Sequence, residues 1–362
     1  MPSLFDLDRA AAESVLGARY RADQLFEGLF DKALPVTDIT SLPARLRMEL
    51  ADEFPLSLKE LTVTASDDAT TRKWLYEVDG GHRIETVLME YPQRATACIS
   101  TQAGCAMACS FCATGQGGFG RHLSPAEIIE QVYRAKQAAL PRRLSNIVLM
   151  GMGEPLANYR SVAVALHLIV ERFNISARRI TISTVGVVPG IDRLALEGLP
   201  LTLAVSLHAA NDEDRSSIIP LNRRYPIERV VTSCEGWTKA TSRRISLEWA
   251  MIDGFNDTPK ALTELTTIAR RLRAHVNLIP LNPTPGYLVQ GSTRDRVLAF
   301  QRGLQDSGVR CTVRSTRGQA IDAACGQLAM RNATRPRQKR PTGSLSSAVL
   351  EGVVPVPTSI RR

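Results

Sequence analysis

Short apolar runs alternate with longer amphipathic segments from about residue 97 onward. Apolar runs bounded by turn residues predict buried strands, and segments whose apolar residues recur at helical spacing predict helices. Six strand–helix repeats can be followed, with the strands at ACISTQ, NIVLMG, RITISTVG, LTLAVSLH, RISLEWAMI and HVNLIPLN. This repetition predicts an α/β fold with a parallel sheet, closed or partly closed as a (β/α)6 barrel.

Two regions with different patterns precede this repeat. Residues 1–60 contain the helical patterns DRAAAESVL, RADQLFEGLF and PARLRMELADEF between polar breaks, which predicts a small N-terminal helical domain. Residues 61–96 have strand character on both sides of the turn signal DGG, which predicts a β-rich connecting segment. We assign residues 97–330 to the barrel, which the connecting segment would extend by a few short strands.

The last part of the chain, residues 331–362, has a separate composition. Seven Lys or Arg face the single Glu351 there, so this segment holds +6 of the formal net charge of +9. Its Pro, Ser and charged residues leave little to bury, which predicts a disordered tail. Such a tail is either a solvated end or a basic arm that binds phosphate backbones.

Composition also bounds the cellular compartment. No apolar run reaches the length of a membrane span, and acidic residues occupy the start of the chain where a signal peptide would be basic. Seven cysteines, three of them close together, favour ligands or reactive thiols over a disulfide framework. We therefore expect a cytoplasmic protein that does not associate with membranes.

Polar residues follow five of the predicted strands. Parallel α/β folds place their chemistry at the carboxyl ends of the strands. Taken singly, these residues have simpler explanations: Ser183 could bond its own backbone, His208 could be a core histidine, and NPTPG could be only a turn. Their recurrence at one rim favours a shared site made of Cys105, Gly153, Glu154, Pro155, Ser183, Thr184, Ser206, His208 and Asn282.

Three cysteines lie within the stretch GCAMACSFCATGQGGFGR, at Cys105, Cys109 and Cys112. A structural zinc site normally has four protein ligands, and no second Cys or His pair lies nearby, so zinc is disfavoured. Buried packing thiols are a second interpretation, although the small residues and glycines indicate a loop wrapped around a ligand. The third interpretation is a [4Fe–4S] cluster held by three thiolates, which leaves one iron open to a substrate.

The spacing C-x3-C-x2-C after the first barrel strand, followed by GMGEP after the second, resembles the radical S-adenosylmethionine (SAM) enzymes. At a closer level, residues 4–330 resemble the bacterial dual-specificity RNA methyltransferases through the further motifs TISTVGVVPGI, LAVSLHA, LIPLNP and RSTRGQAIDAACGQLA. The resemblance implies a partial (β/α)6 radical SAM barrel. It also implies methylation of adenine C2 in 23S rRNA, at adenine 2503, and in tRNA, at adenine 37.

The resemblance carries roles onto individual residues of this chain. Glu85 would be the general base, Cys325 the cysteine that becomes S-methylated, and Cys98 its resolving partner, which forms a disulfide with Cys325. Without the resemblance, Cys98 reads as a buried strand cysteine and Glu85 as a solvated strand position. The cluster ligands would be Cys105, Cys109 and Cys112, and the SAM contacts would be Gly153, Glu154, Ser183, Ser206, Leu207, His208 and Asn282.

The implied chemistry needs partners besides 23S rRNA and tRNA. An external electron donor would reduce the cluster, and a thiol reductant would reopen the disulfide. We expect a monomer, in which Cys234 and Cys311 only fill space. Candidate phosphate contacts are Arg121, residues 221–226, Arg314 and Arg317, and the N-terminal domain would be a second RNA contact. Two alternatives remain: methylation of adenine C8, and a non-catalytic RNA-binding protein stapled by a metal.

Overall fold

The computed structural model describes residues 3–282 and 289–314, together with Ile321 and Ala323. The helices are α1 Arg9–Leu16, α2 Arg19–Phe26, α3 Ala44–Glu53, α4 Ala113–Gln116, α5 Pro125–Ala139, α6 Tyr159–Arg172, α7 Val188–Leu194, α8 Asp212–Ile218, α9 Ile227–Thr241, α10 Pro259–Leu272 and α11 Arg294–Asp306. The strands are β1 Lys59–Ala65, β2 Thr71–Val78, β3 His82–Tyr91, β4 Arg94–Cys98, β5 Gln102–Gly104, β6 Phe119–His122, β7 Leu144–Leu149, β8 Ile180–Thr184, β9 Thr202–Ser206, β10 Ser246–Met251, β11 His275–Pro280 and β12 Arg310–Val313.

Ten strands of the described residues form one sheet in the order β1-β2-β3-β4-β7-β8-β9-β10-β11-β12. Within this sheet β4 and β7–β12 pair in parallel, and the six predicted barrel strands are β4 and β7–β11. The predicted partial barrel is therefore confirmed. The strands β1, β2 and β3 add to β4 in antiparallel fashion, so the predicted β extension continues the barrel sheet.

Helix α5 shows how the sequence starts the elements that cover the sheet. Ser124 accepts a hydrogen bond from the backbone N–H of Glu127, and the Glu127 carboxylate accepts one from the Ser124 N–H in return. Pro125 follows at the first helical position, where its missing N–H costs no hydrogen bond. The helix then buries Ile128, Ile129 and Val132 in the core.

Aromatic side chains join the N-terminal helices to the barrel helices. The ring of Phe5 lies 5.3 Å from that of Tyr133 on α5, and the ring of Phe30 lies 5.1 Å from that of Phe173, just after α6. The ammonium of Lys136 also donates to the carbonyl oxygen of Phe30, at 2.6 Å. These contacts make the helical region and the barrel share one buried core.

None of the helices formed by the described residues is long and apolar enough to cross a bilayer. Residues 331–362, predicted to be a disordered basic tail, lie outside the described part of the chain.

Candidate active site

A two-stranded hairpin, β5 with β6, frames the loop that carries the three cysteines. The backbone N–H of Cys105 donates to the carbonyl oxygen of Gly118 at 2.8 Å. Gly104 has φ +78°, and a Cβ atom there would overlap the Gly118 carbonyl oxygen. The close approach of the two hairpin strands therefore requires glycine at position 104.

The three cysteines line one cavity of about 160 Å³ at the carboxyl ends of the barrel strands. Cys105 and Cys109 are buried and Cys112 is half-buried. Burial raises the pKa of the Cys105 and Cys109 thiols well above the usual range. The strand ends bring to the same cavity Gly153, Glu154, Ser183, Ser206, His208 and Asn282.

Glu154 follows β7 and is held by backbone amides. Its two carboxylate oxygens accept hydrogen bonds from the N–H groups of Leu156, at 3.0 Å, and Val185, at 2.9 Å. Burial nevertheless raises the pKa of Glu154 to about 7. Gly153 before it has φ +102° and lies against Gln102, so that a side chain at 153 would collide with the Gln102 side chain.

Ser183 and Ser206 end neighbouring strands, and their hydroxyl oxygens are 3.3 Å apart. His208, two residues further on, is buried in a left-handed conformation with φ +58°. The His208 Nδ1 atom accepts a hydrogen bond from the Ala250 N–H at 2.9 Å. Burial, assisted by the Arg215 cation, lowers the pKa of His208 to about 3, so its ring is neutral and its proton is on Nε2.

Leu207 differs from its neighbours in the SLHA run. Its side chain is buried in the main core and is absent from the described lining of the cavity. Any contact of Leu207 with a ligand in this cavity would therefore come from its backbone.

Glu85 and Cys98 lie on one face of the sheet, beside the cavity rather than in its described lining. Cys98 is paired with Val87, two residues from Glu85 along β3, and alternate residues of a strand share a face. The Glu85 carboxylate is buried and forms an ion pair with Lys73, 3.4 Å from its Nζ. The interpretation of Glu85 as a solvated strand position is therefore wrong, because β2 covers it with a cation.

Cys98 belongs to a second buried cluster, separate from the main core. The cluster contains Val87, Met89, Cys98, Met152 and Ala323, with Tyr91, Val148, Met150 and Ile321 packed against it. Cys325 lies outside the described residues, but Ala323 is only two residues before it. Met150 also lines the cavity with the three cysteines, so the cluster and the cavity share a wall.

Comparisons with known proteins give one answer. Residues 99–265 match the family described as the Radical SAM superfamily. The chain is 46% identical over 355 residues to a probable dual-specificity RNA methyltransferase RlmN of Parafrankia sp. (strain EAN1pec), with 92% of each chain covered. A protein of the same name from Mycolicibacterium paratuberculosis is 47% identical over 346 residues, covering 90% of this chain and 94% of the relative.

A solved structure agrees with these relatives. The crystal structure of a radical SAM methyltransferase from Sphaerobacter thermophilus has a TM-score of 0.87 and 45% identity, and the match covers 91% of this chain and 99% of that one. The chain belongs to the radical SAM dual-specificity RNA methyltransferase family. It is a radical SAM RNA methyltransferase, and its family implies SAM and an iron–sulfur cluster as cofactors.

The cysteine loop of this methyltransferase fits a cluster better than a single metal ion. Among the described residues, no three His, Cys, Asp or Glu side chains converge on one metal-ion position. Thiolates that hold a [4Fe–4S] cluster bind different irons and do not need to converge. The buried hydroxyl of Ser110, between Cys109 and Cys112, has no hydrogen-bond partner within the described residues and is available as a donor to cluster sulfur.

Glu248 and Phe111 are among the cavity residues of the methyltransferase that the sequence did not reveal. The Glu248 carboxylate accepts hydrogen bonds from the Ser246 hydroxyl, at 2.7 Å, and the Asn277 amide, at 2.8 Å. Glu248 could have been recognised from the sequence, because a glutamate inside the apolar run of β10 is unusual for a packing position. The Phe111 ring stands edge-on to His208, with 4.7 Å between the ring centres.

Of the residues predicted to contact phosphate groups, some already bind other parts of the protein and others are exposed to solvent. The Arg121 guanidinium is already used, in an ion pair with Glu127 and a hydrogen bond to the Asp79 carbonyl oxygen. Within residues 221–226, the exposed cations are Arg223 and Arg224.

Two further predicted phosphate contacts and two predicted packing cysteines remain to be located. Arg314 lines the cavity, while Arg317 lies outside the described residues. Cys234 and Cys311 are buried in the main core, as predicted for packing thiols.

Proposed function

We propose that this enzyme methylates C2 of adenine, at position 2503 of 23S rRNA and position 37 of tRNA, through a methylated Cys325. One observation carries the proposal: Cys98 lies in a cluster with Ala323, and that cluster adjoins the three-cysteine cavity through Met150. A disulfide needs Cα atoms about 4.4–6.8 Å apart. Because Cys325 is two residues from Ala323, the chain can bring it within this distance of Cys98.

The cavity residues form two groups, one that would bind the iron–sulfur cluster and one that would bind SAM. Cys105, Cys109 and Cys112 would bind a [4Fe–4S] cluster, which would supply the electron that breaks the sulfonium bond of SAM. The Glu154 carboxylate is the acceptor for the SAM amino group, and Ser183, Ser206, His208 and Asn282 orient the rest of that molecule. The neutral His208 ring can donate from Nε2 without adding charge.

The two further thiols and Glu85 would act on the RNA base, which must be unstacked to reach them. The Cys325 thiolate takes a methyl group from one SAM. The 5′-deoxyadenosyl group released from a second SAM would accept a hydrogen atom from that methyl group, and the remaining carbon bonds to C2 of the adenine. Glu85 takes the C2 proton, and the electron released from the adduct would return to the oxidised cluster. The Cys98 thiolate then attacks the Cys325 sulfur, and the C–S electron pair passes to the new carbon, which gains a proton.

Lys73 suits this role of Glu85. The Lys73 ammonium lies 3.4 Å from the Glu85 carboxylate and gives this buried group a partner of opposite charge. An external electron donor and a thiol reductant complete the cycle, and we propose that the enzyme acts as a monomer.

Replacement of the two thiols separately tests the proposal. Cys98→Ala should accumulate RNA bound covalently to Cys325, visible as a shifted band on a denaturing gel and as a nucleotide mass on the Cys325 peptide. Cys325→Ala should give neither adduct nor methylated RNA. Cys234→Ala is the matched control, since this buried thiol of α9 lies in the main core. Normal turnover by Cys98→Ala would contradict the proposal.

Mass spectrometry of the modified nucleoside decides the position of the methyl group. We expect 2-methyladenosine at both RNA positions. Methylation at C8 would overturn the assignment of the carbon while leaving the thiol chemistry in place.

A further inference from the structure

Arg215 is a fully buried cation whose charge the described residues do not pair with a carboxylate. It lies on α8, with 0% of its surface exposed. Its guanidinium donates to the carbonyl oxygens of Leu207, at 3.0 Å, Val185, at 2.7 Å, and Ser206, at 3.2 Å, and to the Asn222 side-chain oxygen, at 2.8 Å. These acceptors are neutral, and the nearby Asp212 carboxylate acts on the guanidinium without forming a direct ion pair with it among the described residues, so the positive charge is only partly compensated.

The position of Arg215 relates this charge to the cysteine loop. The Ser110 N–H donates to the carbonyl oxygen of Ile218, the last residue of α8, at 3.1 Å. Two of the acceptors of Arg215, the carbonyl oxygens of Val185 and Ser206, belong to residues that line the cavity together with the three cysteines. Burial lowers the pKa of Arg215 only to about 10, so the guanidinium stays charged at neutral pH.

A buried permanent cation is costly unless an anion lies near it. Three thiolates around an iron–sulfur cluster carry a net negative charge in this region, and reduction by one electron increases that charge. A fixed positive charge in a medium of low dielectric constant stabilises the more negative state. Cluster potentials depend on local charge and burial in this way.

We propose that Arg215 is the counter-charge of the three-cysteine site, which favours thiolate binding of iron and raises the reduction potential of the cluster. The proposal rests on the proposed cluster at Cys105, Cys109 and Cys112. Arg215 is a positioning residue: its hydrogen bonds are to the protein, and it acts through the field at the cluster. The same bonds hold the ends of β8 and β9 together, so a purely structural role is the competing explanation.

Two substitutions at the same position separate charge from structure. Arg215→Lys keeps the positive charge but cannot form the several hydrogen bonds of the planar guanidinium. Arg215→Gln keeps amide donors but loses the charge. Arg243→Gln is the matched control, because Arg243 donates to the Leu201 carbonyl oxygen at 3.2 Å, at the opposite end of β9. All variants would be reconstituted without oxygen, and the cluster titrated with dithionite and redox mediators while its absorbance and EPR signal are recorded.

We expect Arg215→Gln to shift the midpoint potential to a more negative value and to release iron to a chelator faster than the wild type. Arg215→Lys and Arg243→Gln should keep the wild-type midpoint even where thermal unfolding shows lower stability. An unchanged midpoint in Arg215→Gln, or an equal shift in Arg215→Lys, would overturn the proposal.

Asn222→Asp extends the test to a chain that keeps Arg215. It sets a carboxylate against the guanidinium, where the Asn222 oxygen now lies at 2.8 Å, and should lower the midpoint as Arg215→Gln does. A wild-type midpoint in Asn222→Asp would count against the counter-charge. A wild-type protein that binds no iron–sulfur cluster would instead contradict the proposed function, a distinguishable result.

Discussion

The Nδ1 atom of His208 accepts a hydrogen bond from the Ala250 N–H across the neighbouring strand end, with 2.9 Å between the two nitrogens. Only a neutral ring can accept at this atom, and burial holds the pKa of His208 near 3. The arrangement links a side chain of the cavity to the backbone of β10 and makes it sensitive to acid.

Acid should therefore destabilise the protein partly through His208. In the unfolded chain His208 becomes protonated below about pH 6.5, whereas in the folded chain it stays neutral down to about pH 3. The stability contributed is full above pH 6.5 and falls with pH by up to about 1.4 kcal/mol per unit. His208→Asn, which tolerates φ +58° and keeps an acceptor, should flatten urea-unfolding stability between pH 7 and 5.

His167→Asn is the control for that experiment. The hydrogen bond to Glu197 raises the pKa of His167, so its contribution to stability is present at low pH and is lost as pH rises. Removing it should change the pH profile in the opposite direction. Parallel profiles for the wild type and His208→Asn would contradict the prediction.

SAM binding should weaken as pH falls through 7. Burial raises the pKa of Glu154 to about 7, and the ionised carboxylate is the better acceptor for the SAM amino group. Between pH 8 and 6, the ionised fraction and the affinity should fall about tenfold. Equilibrium dialysis without oxygen measures this, and Glu154→Gln should bind more weakly with no such dependence. Glu228→Gln, at an exposed ion pair on α9, should retain the wild-type dependence.

Two glycines of the cysteine hairpin should respond differently to alanine. Gly104 and Gly118 have φ +78° and +80°, so both substitutions strain the backbone by about 1–2 kcal/mol. A Cβ at Gly118 meets open space, whereas one at Gly104 overlaps the Gly118 carbonyl oxygen. Gly104→Ala should therefore cost more in urea unfolding and reduce iron loading after reconstitution. Equal losses in the two variants would show that the close approach is unimportant.

Iron content tests the three thiols of the cavity directly. The reconstituted wild type should hold about four irons per chain. Alanine at Cys105, Cys109 or Cys112 should remove SAM cleavage and most of this iron, while Cys311→Ala, a buried thiol of β12, should leave both intact. Stoichiometric zinc without iron would contradict the prediction.

Apolar periodicity was sufficient to predict the barrel strands and the rim at which they end. It missed β12 and the hairpin of β5 and β6, because strands of three or four residues are too short to show a period. Local pattern also gave most of the polar residues of the cavity, since they lie at or just after the end of a strand, whereas Glu248 lies inside β10.

Buried charges could not be predicted in the same way. Arg215, Glu248 and Glu85 are charged side chains that a pattern of apolar residues assigns to solvent. Each is buried beside a polar or charged group of another element: Val185 for Arg215, Asn277 for Glu248 and Lys73 for Glu85. Arg121 illustrates the converse, as a cation that seems available for RNA but is neutralised by Glu127. The partner of a charge is a property of the folded topology.

Met150 stands between the three-cysteine cavity and the cluster around Cys98, with the Arg314 guanidinium 3.9 Å from its sulfur. Under the proposed function, Met150 would separate two compartments, one in which SAM is cleaved and one in which Cys98 acts on the product. Shortening this side chain would join the compartments and alter cofactor fit and thiol geometry together. Enzymologists who vary position 150 should thus find both half-reactions changed by one substitution.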